Sequence, residues 1–99
     1  MKRKLVRIQS EAQEEITQAF DWYFKRSPSA ADAFLTEVGT SIAQIASLPQ
    51  LYPPYTRNTR RHVLSGFPYS VIFQEKDDII LVVAVAHAKR RPGYWRVRI

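Results

Sequence analysis

The chain has no cysteine, three glycines and a single methionine in 99 residues. The absence of cysteine excludes disulfides and thiolate metal sites, and fits a reducing cytoplasm. Gly39, Gly66 and Gly93 are too few and too scattered to form a phosphate-cradling loop. His62 and His87 are the only histidines, and no HExxH spacing occurs, so no metal constellation is visible. No nucleophile–base motif and no cofactor fingerprint is present either. No apolar stretch reaches the ~18 residues of a membrane span, and the start MKRKLVRI has too short an apolar part for a signal peptide.

What is present describes one domain over residues 1–99. Apolar residues make up 45% and charged residues 24%, the balance of a folded protein. A chain of this size buries roughly 60–65% of its unfolded surface, enough for one layer of helices on one layer of sheet.

The net charge is +6, and it is placed unevenly. Residues 1–56 hold six Lys/Arg and six Asp/Glu, which cancel. Residues 57–99 hold nine Lys/Arg against Glu75, Asp77 and Asp78. A one-sided basic field attracts polyanions, whether RNA, DNA or an acidic protein, and it also serves simply as a solvated face.

KRKLVRI at 2–8 predicts a short strand with Val6 and Ile8 inward and Arg3 and Arg7 outward. Ser10 is placed to cap a helix, with Gln13 as its capping-box partner and Glu11 and Glu14 in the first turn. Ala12, Ile16, Ala19, Phe20, Tyr23 and Phe24 make one helical stripe. Ser27-Pro28 ends that helix and opens a second, in which Ala31, Phe34, Leu35, Val38, Ile42, Ile45 and Ala46 share a face until Pro49 stops it. The short connection predicts an antiparallel helical hairpin.

Residues 49–59 form a loop with three prolines. RRHVL (60–64), YSVIFQ (69–74) and IILVVAVAH (79–87) then predict a β-meander. The last of these is apolar on both faces and belongs in the middle of a covered sheet. Ala84 and Ala86 are expected to face the helices, and Ile79, Leu81, Val83, Val85 and His87 the other side. One helical hairpin cannot cover both faces, so the proline loop, the C-terminal tail or a partner must cover the second. The expected fold class is α+β, in the order β-α-α-β-β-β, with an antiparallel sheet of about four strands on a helical hairpin.

The stretch AVAHAKRRPGYWRVRI (84–99) carries the candidate chemistry. Arg60, Arg61 and His62 open one strand, and His87, Lys89, Arg90, Arg91 and Tyr94 follow the end of another. If those strands are neighbours, the groups converge. Metal-free RNA cleavage needs a base for the 2′-hydroxyl, cations for the phosphate and an acid for the leaving oxygen. Arg and Lys supply the charge, His87 titrates in the right range, and Tyr94 or Trp95 can stack on a base. The same residues also fit plainer roles: a structural His87, a solvated Arg90-Arg91 pair, and Trp95 sealing the sheet. Trp22 sits on the flank of the first helical stripe, placed to pack on the second helix or to meet a partner.

RHVLSGFPYSVIFQ followed by IILVVAVAHAKRRPGYW resembles the RelE/ParE superfamily of toxins from type II toxin–antitoxin modules. The leucine before a Phe-Pro-Tyr turn, the apolar last strand and the His-x-x-Arg-x-Pro-x-Tyr-Trp ending carry the likeness, which covers nearly the whole chain. The resemblance implies a small toxin held inactive in a hetero-oligomer by a cognate antitoxin, which wraps it with a helix or an extended segment. Members split by target. The RelE-like branch cleaves mRNA in the ribosome; carried over by position, Arg61 with Lys89 or Arg90 would stabilise the phosphate, and His87 or Tyr94 would move protons. Residues 49–59 lack the lysine- or glutamate-bearing stretch from which several such nucleases draw a base. The ParE-like branch has no nuclease set and poisons DNA gyrase; the long regular helices here resemble it more. The expectation is thus a ParE-like, non-enzymatic gyrase poison without cofactor, against a RelE-like endoribonuclease, and against a nucleic-acid-binding module with no toxicity.

Overall fold

The structure, a computed structural model, describes residues 3–99. Two helices form a hairpin on one face of a five-stranded sheet, and the expected α+β class holds. The strands are β1 (Leu5–Ile8), β2 (Pro54–Tyr55), β3 (Thr59–Val63), β4 (Tyr69–Lys76) and β5 (Ile79–His87), and the helices are α1 (Ser10–Phe24) and α2 (Pro28–Ser47). The sheet order is β1-β5-β4-β3-β2.

Two features of the sheet differ from the expectation. β1 joins the meander at β5 and runs parallel to it, so the sheet is mixed rather than antiparallel throughout. The chain reaches this arrangement because α1 and α2 together carry it back across the sheet before the meander begins. A fifth strand, β2, comes from within the proline loop and pairs Pro54 with Arg60 and Tyr55 with Thr59. Proline at such an edge loses no ladder bond. Lys2, where the first strand was expected to open, lies outside the described residues.

Helix boundaries follow local chemistry. Gln9, not Ser10, occupies the capping position of α1. The Gln9 N–H still donates to the Val82 carbonyl, so β1 ends there and the helix starts directly at Ser10. At α2 the expectation holds: the Ser27 hydroxyl accepts the Ala30 N–H, with Pro28 at the first helical position.

The main core lies between hairpin and sheet. Ala12, Ile16, Ala19, Phe34, Val38 and Ile45 from the helices meet Val71, Phe73, Ile80, Val82 and Val85 from the strands. Phe24 and Leu35 share the expected stripes but are about half exposed, and Val6 is also partly exposed on the edge strand. Neither helix is long and apolar enough to cross a membrane.

β5 breaks the period of two. Ile72 pairs with Ala84 but Phe73 pairs with Val82, so Val83 is an extra residue, a β-bulge. The bulge inverts the expected faces beyond it. Val85 joins the helix-side core, while Ala84 and Ala86 turn to the second face with Val83, Ile72 and Trp95. Two of the expected candidates cover that second face: the C-terminal segment, through Trp95, and the proline loop, through Tyr55.

Candidate functional site

The C-terminal segment is positioned by Gly93, a left-handed residue at φ 77° that turns the chain into a 3₁₀ turn, Tyr94–Arg98. A side chain at this position would be strained, and its Cβ would sit 3.1 Å from Arg96 Nε. The turn drives Trp95 onto Ile72, Val83 and Ala84, where it is 1% exposed. Trp95 is therefore a packing residue, not a base-stacking one.

A carboxylate from α1 holds the segment in place. Glu15 accepts both Arg98 Nη1 and Nη2 at 3.0 Å, the Tyr94 hydroxyl, and the Val85 N–H at 3.0 Å. Arg98 Nη1 also donates to the Val83 carbonyl at 3.1 Å. Val83 and Val85 lie just beyond Val82, where the pairing of β5 with β1 ends, and the clasp gives the Val83 carbonyl and the Val85 N–H partners there. Arg98 and Glu15 form one of two ion pairs among the described residues, and it is the better shielded from water. Sequence reasoning did not single out Glu15 or Arg98. The available signal was the position of Glu15 on the flank of the α1 stripe, three residues after Ala12 and four before Ala19.

Of the expected site residues, Arg61, His87, Arg90 and Tyr94 line one small depression of about 90 Å³ on the Trp95 face. Lys89 instead lines a larger open groove of about 570 Å³ between α1 and the segment, and His87, Arg90 and Tyr94 border both. Arg61 stacks over Tyr55 at 4.4 Å, and Arg90 over Tyr94 at 3.7 Å. Trp22, 52% exposed, and Tyr69 complete the groove walls.

The proton-handling candidates are both engaged. Burial, then the hydrogen bond and charge of Glu15, push the Tyr94 hydroxyl well above its usual range. His87 Nδ1 accepts the Lys89 N–H at 3.0 Å, and its ring lies edge-on to Tyr69. That bond assigns the neutral ring its proton on Nε2, leaving no free acceptor nitrogen.

The helical hairpin on a mixed sheet, with a cation-rich segment leaving the interior strand β5, is that of a toxin of the RelE/ParE superfamily, as the family match shows. Residues 6–92 match the family model described as the ParE toxin of the type II toxin–antitoxin system, parDE, and the chain belongs to that family. Among curated proteins it is similar to Toxin ParE2 of Mycobacterium tuberculosis, strains CDC 1551 / Oshkosh and ATCC 25618 / H37Rv. Each is 25% identical over 94 residues, covering 94% of this chain and 89% of the relative. Among solved structures it resembles a chain of the chromosomal ParDE TA system from P. aeruginosa. The TM-score is 0.77 at 14% identity, over 88% of this chain and 98% of that one. Membership in the family implies an antitoxin partner.

Proposed function

We propose that the protein acts in the cytoplasm as a growth inhibitor that binds and poisons DNA gyrase, and that a cognate antitoxin neutralises it. The engagement of Tyr94 carries the choice between targets. A nuclease needs a base and an acid that change protonation during the reaction. Tyr94 donates to Glu15 and is half-buried beside it, so it gives up its proton poorly. His87 Nδ1 is already occupied, accepting the Lys89 N–H. The cluster is built to present charge and shape, as a binding protein requires, more than to transfer protons. Family membership supports the same direction.

Purified protein tests this directly. Added in excess to gyrase, ATP and relaxed plasmid, it should stop supercoiling and leave cleaved DNA. Undiminished supercoiling would rule the proposal out.

One observation favours RNA cleavage as the second reading: Arg61, Arg90 and Tyr94 do border the same depression. In that case Arg61→Ala with Arg90→Ala would abolish toxicity while the fold stays intact. Full toxicity of the double variant would eliminate it.

A further inference from the structure

We propose that the small depression on the Trp95 face is a phosphodiester site, through which the toxin grips the backbone of the duplex DNA held by gyrase. The site presupposes the gyrase reading above and adds a second ligand to it: the toxin touches the DNA as well as the enzyme.

The floor of the depression is built of small side chains. Ser70 and Ala86 are paired across β4 and β5, and Ala88 follows the end of β5, so an anion can approach the sheet closely. Arg61, Arg90 and Arg91 stand around that floor, and no carboxylate lines it. Their neighbours in sequence are tied down. The guanidinium of Arg60 donates to the Tyr52 carbonyl, that of Arg96 to the Gly93 carbonyl and that of Arg98 to Glu15. Among the described residues the guanidinium groups of Arg61, Arg90 and Arg91 make no ion pair and no hydrogen bond. Two of the three are nonetheless held in place. Stacking of Arg61 on Tyr55 at 4.4 Å and of Arg90 on Tyr94 at 3.7 Å fixes each side chain while its N–H groups stay free. Such preorganisation leaves little freedom to lose on binding.

The chemistry of the ligand follows from this arrangement. A carboxylate lies flat against one guanidinium fork, whereas a tetrahedral phosphodiester takes donors from several directions at once. The depression, about 90 Å³, offers no ring face to a base. Trp95 is buried, Tyr55 is covered by Arg61 and Tyr94 by Arg90. Single-strand binding depends on open rings for successive bases. A duplex stacks its bases on one another and presents its backbone outward, which is the part these arginines can take.

The test is fluorescence anisotropy of toxin labelled at its N-terminus, titrated with gyrase alone and with gyrase loaded on linear duplex DNA. Wild type should bind the loaded enzyme more tightly by about tenfold or more, with this gain shrinking as salt rises. Arg61→Gln with Arg90→Gln, checked for native circular dichroism, should abolish the gain. Arg91→Glu, at an exposed position, should cut it severalfold whatever the fate of the double variant. Arg3→Gln with Lys76→Gln removes the same charge as the double variant at the opposite end of the sheet, and should keep the gain. A gain that survives in both the double variant and Arg91→Glu, or that the control also loses, overturns the site. Equal binding of wild type with and without DNA would leave the arginines to gyrase itself, sinking the site while the gyrase reading stands. Tighter binding of a single-stranded RNA than of a duplex of equal length, lost in the double variant, would give the depression to RNA and overturn the proposal. A wild type that binds gyrase in neither form overturns the gyrase reading, and the site falls with it.

Discussion

At the scale of single residues, Glu15 bears more of the structure than any other charged side chain. It reaches from α1 to β5 and to two residues of the C-terminal segment, across sequence separations of 70 to 83. Glu15→Ala leaves the Arg98 guanidinium shielded and unpaired and the Val85 N–H without an acceptor. Breaking a buried pair from one side costs about 3–5 kcal/mol; with the pair slightly open to water here, about 2–4 kcal/mol is expected in urea unfolding. Glu37 is the second such residue. Its carboxylate accepts the Ser65 N–H at 2.6 Å, the Ser65 hydroxyl at 3.0 Å and the Gly66 N–H at 3.1 Å, tying α2 to the β3–β4 turn. Partial burial pushes this carboxyl up, but the three donors together outweigh it and hold it below its ordinary 4.5. The folded state therefore binds its proton less readily than the unfolded chain does. The stability it adds is present above that ordinary value and is lost as pH falls through the depressed folded one. Urea midpoints taken between about pH 6 and about pH 3 should fall less steeply for Glu37→Gln than for the wild type.

At the scale of elements, the C-terminal turn is the part that completes the sheet. Trp95→Ala should cost about 3–5 kcal/mol and expose Ile72, Val83 and Ala84, seen as a lower urea midpoint. Gly93→Ala should cost about 1–2 kcal/mol in the same measurement, because a left-handed conformation is then forced on a residue with a Cβ. How far these elements were legible follows from how local their causes are. The helices were readable because the spacing of Ala12, Ile16 and Ala19, or of Phe34, Val38 and Ile45, is itself the signal for a buried face. The Ser27-Pro28 start was readable for the same reason. The bulge at Val83 was not: IILVVAVAH reads as an unbroken alternation, and the slip appears only against the register of β4. The parallel pairing of β1 with β5 depends on the path of the whole hairpin. In the site, His87, Lys89, Arg90 and Tyr94 were visible as a cluster within eight residues. Glu15 and Arg98 were not, because a pair separated by 83 positions leaves no trace in local composition.

At the scale of the whole molecule, nine of the fifteen cations fall in the last 43 residues, and the fold gathers several of them around the groove and depression that flank His87. Arg98 alone of the nine is taken up by an ion pair among the described residues. A toxin so charged should bind its antitoxin faster at low salt than at high salt, by roughly tenfold or more between about 50 mM and about 500 mM. Stopped-flow tryptophan fluorescence gives that rate. A ParE-family chain with its tyrosine tied to Glu15 should act on gyrase and not on RNA. Inducing the gene alone, while following thymidine and methionine incorporation in the same culture, tests it most directly. DNA synthesis should stop first, with protein synthesis continuing for a time. An immediate arrest of protein synthesis, with DNA synthesis still running, would contradict it.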